Sequence, residues 1–524
     1  MRFKGLFKLS LAASVAVCAN AADESVLSGV EVTSSSGGYG VDDIKISTRN
    51  AGLAKDVMRD IPGVYVGGTN GMNQKIYMRG VSDRGLNITI DGAKQNGNTF
   101  HHNADLLIDP DLIKAIDVEV GSRSVVNGSG ALGGSVAFKT VDAKDLLESG
   151  EKIGAKIKTG YASNNSEFSQ GLMLFTTPVE GLDFIAAINH KGYDYGKSGN
   201  KRKIGGDGND LSYLLKLGYS FLDAHRISIS REHNEFKGMY PMRAEFGSWY
   251  TGQYPVDNRK YERDTTTLKY EYKPSDLLNL EVTAYNTEHK KDDPVLKILG
   301  VKTNGINAKA KSVVETGALT QTFRYGAEFY QSKNFNKPDN HYPEKVNNYS
   351  IYAEDALNFS SLTVTPGVRY THHELKSYDG RAGNVKSYTY KFNEFTPALA
   401  LDYEIIKGLN AFASYARVFR GPDVMESMYA SRAKNFEANK DLKATTGNSY
   451  ETGLKYHGDI NEASSYSLSA KYFMTKYKNL IVDNNAAGGG VNQTLVRINA
   501  GGADISGVEL LARLNLDALS LAAS

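Results

Sequence analysis

The chain has 524 residues, and its 61 lysines and arginines nearly cancel its 59 aspartates and glutamates. A net charge of +2 supplies no basic face for nucleic acid. A mean hydropathy of −0.39 excludes a bundle of membrane helices, and 10% aromatic residues exclude a disordered chain. With 32 tyrosines, 52 glycines and only 12 prolines, the composition predicts many strands joined by tight turns.

Residues 1–21 carry Arg2, Lys4 and Lys8, then the apolar run Leu9–Val17, then the small-x-small pattern Ala19-Asn20-Ala21. This is the pattern of a secretory signal peptide cut after Ala21. The only cysteine, Cys18, lies inside it, and Val17 stands where a lipoprotein signal wants a small residue. The mature chain then holds no cysteine, which excludes disulfides and thiolate metal sites. After residue 21 no stretch approaches the ~20 apolar residues of a spanning helix. An exported chain of this kind is either a soluble periplasmic β protein or an outer-membrane barrel.

The pattern changes near residue 150. Residues 23–148 read as mixed α/β. A short helix is expected over Leu53–Met58, ended by Ile61-Pro62-Gly63. Short strands are expected at Lys75–Arg79 and Asn87–Asp91, a short helix at Pro110–Ile116 opened by Asp109, and a strand at Ile116–Val120. Gly128, Gly130, Gly133 and Gly134 mark turns.

Residues 151–524 repeat strand, turn, strand, loop. Thr267–Lys273 and Asn279–Asn286 alternate apolar and polar around the Pro274-Ser275-Asp276 turn, and Leu362–Tyr370, Pro397–Tyr403 and Leu409–Tyr415 follow suit. Connections alternate short and long, the long ones at 235–262, 334–346, 421–447 and 482–493. Short turns at one end and long loops at the other characterise an outer-membrane barrel. About sixteen strands, give or take two, fit between residues 153 and 515. Leu516-Asp517 then reads as a turn and Ala518–Ala523 as the start of another strand, so the barrel either closes at sixteen or is an incomplete, truncated one.

Several segments resemble one family. Asp60-Ile61-Pro62-Gly63-Val64, Tyr77-Met78-Arg79-Gly80, Ile90-Asp91-Gly92 and Gly128–Phe138 together match the plug of the TonB-dependent outer-membrane receptors. Phe138–Leu147 resembles the lead-in to the first strand in the haem and haemoglobin branch. Phe419-Arg420-Gly421-Pro422 is similar to that branch's FRAP box, with Gly421 for alanine. Asn439-Lys440-Asp441-Leu442 is similar to its NPNL/NPDL box, with Lys440 for proline. Tyr450-Glu451-Thr452-Gly453 matches the strand that follows. Gly29-Val30-Glu31-Val32-Thr33 resembles the TonB box, an extended β-branched segment suited to strand addition on a partner.

The resemblance covers roughly residues 28–515 and implies a transmembrane antiparallel β-barrel, 22-stranded in the family, with an N-terminal plug inside its lumen. It implies a signal peptide at 1–21, a TonB-box segment at 22–40, a plug at 41–150 and a barrel at 151–524, located in the cell outer membrane. The implied function is TonB-dependent uptake of haem, the source being haemoglobin. The alternatives are another iron chelate such as a siderophore, or a truncated remnant that transports nothing. Haem is then cargo and no resident cofactor is implied. The implied partners are TonB, haem or haemoglobin, and outer-membrane lipid.

Haem iron takes imidazole or tyrosinate ligands. His101 falls where the family has an apical plug histidine after its DGxxQ element, here Asp91–Gln95, and His102 is adjacent. The family's second histidine, between the two boxes, is missing. Asn435 stands nearly at its position, and Tyr429 is the substitute as tyrosinate. His341, in a long aromatic-flanked loop, is a further second-ligand candidate. His233, His289, His372 and His373 also fall in or near expected loops, where a histidine is more often solvated than liganding. No metal other than haem iron is expected. No catalytic constellation stands out, and the glycines near 128–134 lack the Lys-Ser/Thr of a phosphate cradle, so no enzyme is expected.

Overall fold

The computed structural model describes residues 39–49, 51–68, 74–97, 106–197, 199, 201, 204–241, 256–294, 297–337, 344–381, 384–424, 436–437, 439–462, 464–483, 495–517 and 519–524. In the N-terminal portion the elements are β1 (Tyr39–Asp42), α1 (Asp43–Thr48), α2 (Ala54–Met58), β2 (Val64–Gly67), β3 (Lys75–Met78), β4 (Val81–Ser82), β5 (Leu86–Ile90), β6 (Ala93–Lys94), β7 (Ile113–Val120) and β8 (Gly134–Thr140). They form a five-stranded sheet in the order β1-β7-β8-β5-β6 and a three-stranded sheet β2-β3-β4.

Local chemistry explains these turns. Val64 N donates to Ile61 O over Pro62 and Gly63, whose φ is +75°. Proline then glycine at the two central positions suits a type II turn. The Arg79-Gly80 and Asp91-Gly92 turns both hold two consecutive positive φ values, 48° with 82° and 47° with 83°. Such pairs make type I′ hairpin turns, whose twist matches that of the flanking strands. One expectation is corrected here: Pro110–Ile116 is not a helix. A single 3-10 turn spans Pro110–Leu112, capped by the Asp109 side chain accepting from Asp111 N, and β7 begins at Ile113. The β-branched alternation of Ile113–Val120 outweighs the helical start.

Twenty further strands follow. They are β9 (Ile153–Ala162), β10 (Glu167–Val179), β11 (Leu182–Asp194), β12 (Asp207–Phe221), β13 (His225–Pro241), β14 (Val256–Ser275), β15 (Leu278–Asp293), β16 (Lys297–Thr316), β17 (Leu319–Lys337) and β18 (Lys345–Phe359). Next come β19 (Leu362–Arg381), β20 (Asn384–Ile406), β21 (Leu409–Arg420), β22 (Phe436–Glu437), β23 (Thr445–Asn461), β24 (Ser464–Lys478), β25 (Ile481–Asp483), β26 (Leu495–Asn499), β27 (Ala503–Leu516) and β28 (Leu519–Ala523). The short β22, β25 and β26 lie in loops, and the other seventeen form the barrel wall, each hydrogen-bonded antiparallel to the next from β9 to β28.

Two- and three-residue turns, such as 180–181, 317–318 and 407–408, occupy one end of the barrel. The long connections 195–206, 242–255, 421–444 and 479–502 occupy the other, which identifies the outer mouth. The strands run further than the alternation suggested. The expected loop 235–262 shrinks to 242–255 because β13 continues to Pro241 and β14 starts at Val256. The added ends mix charged residues with Phe236, Tyr240 and Tyr261, which pack together in the lumen around Leu107, so no clean apolar–polar alternation marks them.

Wall strands send alternate side chains outward and inward. Ile157, Leu172, Ile188, Leu217, Ile229, Leu268, Ile351, Val368, Leu401, Leu454 and Leu510 are all exposed on the outer surface. A continuous apolar band of this kind faces lipid. No described helix is long and apolar enough to cross a membrane, and crossing falls to the strands.

The N-terminal domain sits inside this cylinder. Asn189 of β11 donates to Asp109 at 2.9 Å, and Arg263 of β14 donates to Leu107 O at 2.6 Å. Ser124 donates to Glu354 of β18 at 2.7 Å, and Tyr477 of β24 donates to Leu132 O at 3.0 Å. Contacts on β11, β14, β18 and β24 surround the domain. Leu112, Val141 and Ala143 also pack on lumen-facing Met173, Phe175, Ile185 and Leu214.

Candidate functional site

The site is built where the plug's Asp91–Asn96 segment meets the root of loop 421–444. Asp91 opens that segment. Its carboxylate accepts from Thr140 N at 2.9 Å, and Lys216 of the wall lies 3.4 Å away. Burial alone would raise this carboxyl, but the nearby Lys216 and Lys269 and the Thr140 hydrogen bonds hold it below the usual carboxylate range. Beyond the hairpin, Thr287 of β15 donates to Lys94 O, and Lys94 Nζ reaches Asn87 at 2.8 Å and Ser129 O at 3.1 Å.

The Phe419–Pro422 box ends β21. Phe419 is buried. Arg420, Gly421 and Asp423 line a polar cleft of about 450 Å³ with Arg84, Lys94 and Asn96 of the plug. Gly421 packs on His373 of β19: a Cβ there would lie 2.2 Å from the imidazole Cδ2. The imidazole would have to move aside, so the alanine expected from the family pattern does not fit beside this histidine as it is placed. His373 Nε2 donates to Pro422 O at 2.9 Å, and its Nδ1 accepts from Asn348 at 3.2 Å. Asn348 also donates to Ser129 of the plug.

The Asn439–Leu442 box closes the other end of the loop as a tight turn. Asn439 Oδ1 accepts from Asp441 N at 3.1 Å, and Leu442 N donates to Asn439 O at 3.2 Å. Lys440, where the family has proline, is exposed and places its ammonium 5.7 Å from the Tyr388 ring. Leu442 is buried.

One residue joins the two boxes. Arg497 of β26 is 3% exposed. Its Nη2 donates to Asp423 O at 3.2 Å, and its own carbonyl accepts from Asn439 Nδ2 at 3.0 Å. β26 also pairs in parallel with β22 inside the loop. Of the residues that make this junction, Asn96, Asn348, Asp423 and Arg497 carry no signal in the sequence, and His373 stands out there only as one histidine among several. The junction residues come from five distant segments, and only register brings them together.

Of the expected iron ligands, His101, His102, Tyr429 and His341 lie outside the described residues, as do Asn435 and the TonB-box residues Val30, Glu31, Val32 and Thr33. The remaining histidines are not in loops. All four sit on strands. His233 and His372 face outward, bonded to Asp264 at 2.9 Å and Asn393 at 2.7 Å. His289 and His373 face the lumen and are buried; neither ring nitrogen of His289 has a hydrogen-bond partner among the described residues.

A second relationship fixes the plug from below. The Arg79 guanidinium lies between Glu451 of β23 and Glu509 of β27, at 2.6 and 2.8 Å, and over the Phe473 ring at 3.9 Å. Lys471 pairs with Glu509 at 2.7 Å. The backbone crowds in: Gly121 has φ +87°, and a Cβ there would lie 2.1 Å from Glu451 Oε1. Arg79 comes from the Tyr77–Gly80 motif and Glu451 from the Tyr450–Gly453 motif. Both motifs thus meet in one buried ion cluster.

Two family models match the chain. TonB dependent receptor-like, beta-barrel covers residues 193–524, and TonB-dependent Receptor Plug Domain covers residues 28–135. The chain belongs to the TonB-dependent receptors. It is therefore an outer-membrane receptor of a family of transporters. It is 27% identical over 544 residues to Heme/hemopexin utilization protein C of Haemophilus influenzae, spanning 88% of this chain and 74% of that protein. Its fold matches a double mutant of the Serratia marcescens hemophore receptor HasR in complex with its hemophore HasA and heme. That match has a TM-score of 0.78 at 17% identity, over 91% of this chain and 79% of the other. The FrpB iron transporter of Neisseria meningitidis matches with a TM-score of 0.77 at 21% identity, over 91% and 78%.

Proposed function

We propose that this receptor takes up haem through the outer membrane, with TonB supplying the work. The observation that carries the reading is the joining of the Phe419–Pro422 and Asn439–Leu442 boxes through Arg497, directly above the plug's Asp91–Asn96 segment. The similarity to a haem utilization protein supports it. His101 and His102, a few residues beyond Asn96, are the plug's iron ligands in this reading. Tyr429, inside the loop between the boxes, or His341 supplies the second ligand. Residues 1–21 are removed on export, 22–40 carry the TonB box Val30–Thr33, 41–150 form the plug and 151–524 the barrel.

The outer membrane stores no ion gradient that could drive uptake, so energy arrives mechanically at the N-terminus. A pull there loads β1 first. β1 is an edge strand held to β7 over four residues, Tyr39↔Val118 to Asp42↔Ala115. Short edge strands peel at low cost, while the Arg79 cluster holds the plug core in place. Substrate at the outer mouth then biases which state TonB engages.

The test is a haem titration of the purified receptor, with His101→Ala, His102→Ala and the double variant, alongside growth on haem or haemoglobin as sole iron source with and without TonB. Saturable haem binding lost in the double variant, and TonB-dependent growth, are the expected results. Unchanged affinity in the double variant removes the ligand assignment. Absence of haem binding by the unaltered receptor removes the haem reading.

A further inference from the structure

We infer that the hydrogen bond between Asn96 of the plug and Asp423 of the barrel is the positioning contact that fixes the plug's Asp91–Asn96 segment against the root of loop 421–444, and through it haem affinity. The inference rests on the haem reading above and adds residues that neither family box contains. Asn96 Nδ2 donates to Asp423 Oδ2 at 2.7 Å, and both residues are buried, at 6% and 9% exposure. Asn96 stands five residues before His101, and Asp423 six residues before Tyr429. The two candidate ligand segments therefore spring from the two ends of one short bond.

The rest of Asp423 is equally committed. Its Oδ1 accepts from Val424 N at 2.7 Å, and its carbonyl accepts from Arg497 Nη2 at 3.2 Å. Asn96 Nδ2 also approaches Ser332 Oγ of β17 at 3.4 Å. Asp423 thus ties the plug apex, the start of loop 421–444 and the second long loop through three oxygen atoms. A side chain so fixed on both sides cannot shift without moving Asn96. Two ligands on one metal need fixed relative placement, and outer partners of this kind orient them. A conformational change sensed by loop 421–444 reaches the plug by the same contact.

The geometry also provides its own control. If Asp423 becomes asparagine with its Oδ1 still on Val424 N, its amide nitrogen faces residue 96. An aspartate at 96 then accepts, and the bond is restored with donor and acceptor exchanged. The experiment uses the full receptor in detergent, with Asn96→Ala, Asp423→Ala, Asn96→Asp and the exchange Asn96→Asp with Asp423→Asn. The readouts are haem affinity, the Soret spectrum of the bound haem, and tryptic cleavage after Arg432 and Lys434. Each alanine variant and Asn96→Asp is expected to lose at least tenfold in haem affinity, change the Soret band and speed cleavage. The exchange is expected to recover all three. Wild-type affinity, spectrum and cleavage in the alanine variants overturn the inference, and so does an exchange variant that stays as weak as Asn96→Asp. If the unaltered receptor binds no haem, the haem reading falls, and cleavage rates still decide whether this bond fixes the loop.

Discussion

Gly421 and His373 occupy one space: no side chain fits at 421 while the imidazole keeps its bonds to Pro422 O and Asn348. Gly421→Ala is expected to force His373 aside and cost about 1–3 kcal/mol of local stability, as overpacking does. Pairing it with His373→Ala relieves the clash, so the double variant loses less than the two single losses combined. Thermal melting of the four proteins checks this. Additive losses would show that the two side chains are independent.

Arg79→Ala removes the cation that bridges two buried carboxylates: Glu509 keeps Lys471 at 2.7 Å, and Glu451 is left with Lys471 at 4.0 Å. Losing one partner of a buried ion pair costs about 3–5 kcal/mol. The plug is expected to release from the barrel at markedly lower urea, read by hydrogen exchange in β2, β3 and β7, with the barrel's own melting little changed. Arg79→Lys rescues only partly, because one ammonium cannot reproduce the separate Nη1 and Nε bonds to Glu451 and Glu509.

Arg497→Ala unties both boxes at once. Faster tryptic cleavage in loop 421–444 and weaker haem binding are expected together, with barrel stability unchanged. Loss of neither would leave the boxes joined by other means.

Lys440→Pro is expected to be tolerated within about 1 kcal/mol. Lys440 follows Asn439 in a turn closed by Leu442 N and Asn439 O, and proline is favoured at that second turn position. Melting that falls by several kcal/mol would mean that residue 440 lacks a proline-compatible backbone.

Glu119, in β7 of the plug, is pushed up from 4.5 to about 7 by burial, against the opposing pull of its hydrogen bonds and Arg123. The folded plug therefore holds this proton where the unfolded chain has released it. Its contribution is fully present below about 4.5 and is lost as the pH rises to about 7, on the order of 3 kcal/mol. Glu119→Gln is expected to flatten plug stability over that range, measured by hydrogen exchange at several pH values. An unchanged pH profile would assign the dependence elsewhere.

The barrel was legible because a membrane wall imposes a period of two, and short and long connections alternate by necessity. The plug was legible because Pro62-Gly63, Arg79-Gly80 and Asp91-Gly92 make turns whose backbone demands particular residues. Those constraints are local, so the amino-acid order alone determined the architecture, while family and compartment came from the resemblance of its motifs. The outer strand ends were misjudged where charged residues are mixed with Phe236, Tyr240 and Tyr261 turned into the lumen, which breaks the simple alternation. His289 and His373 were misjudged because a polar residue looks the same in sequence whether it faces solvent or a filled lumen. What only tertiary structure decided was the meeting of Asn96 with Asp423, of Arg497 with both boxes and of Arg79 with Glu451 and Glu509. Each joins segments from 58 to 430 residues apart, and wall register, which no local pattern encodes, sets which side chains point at one another across the lumen.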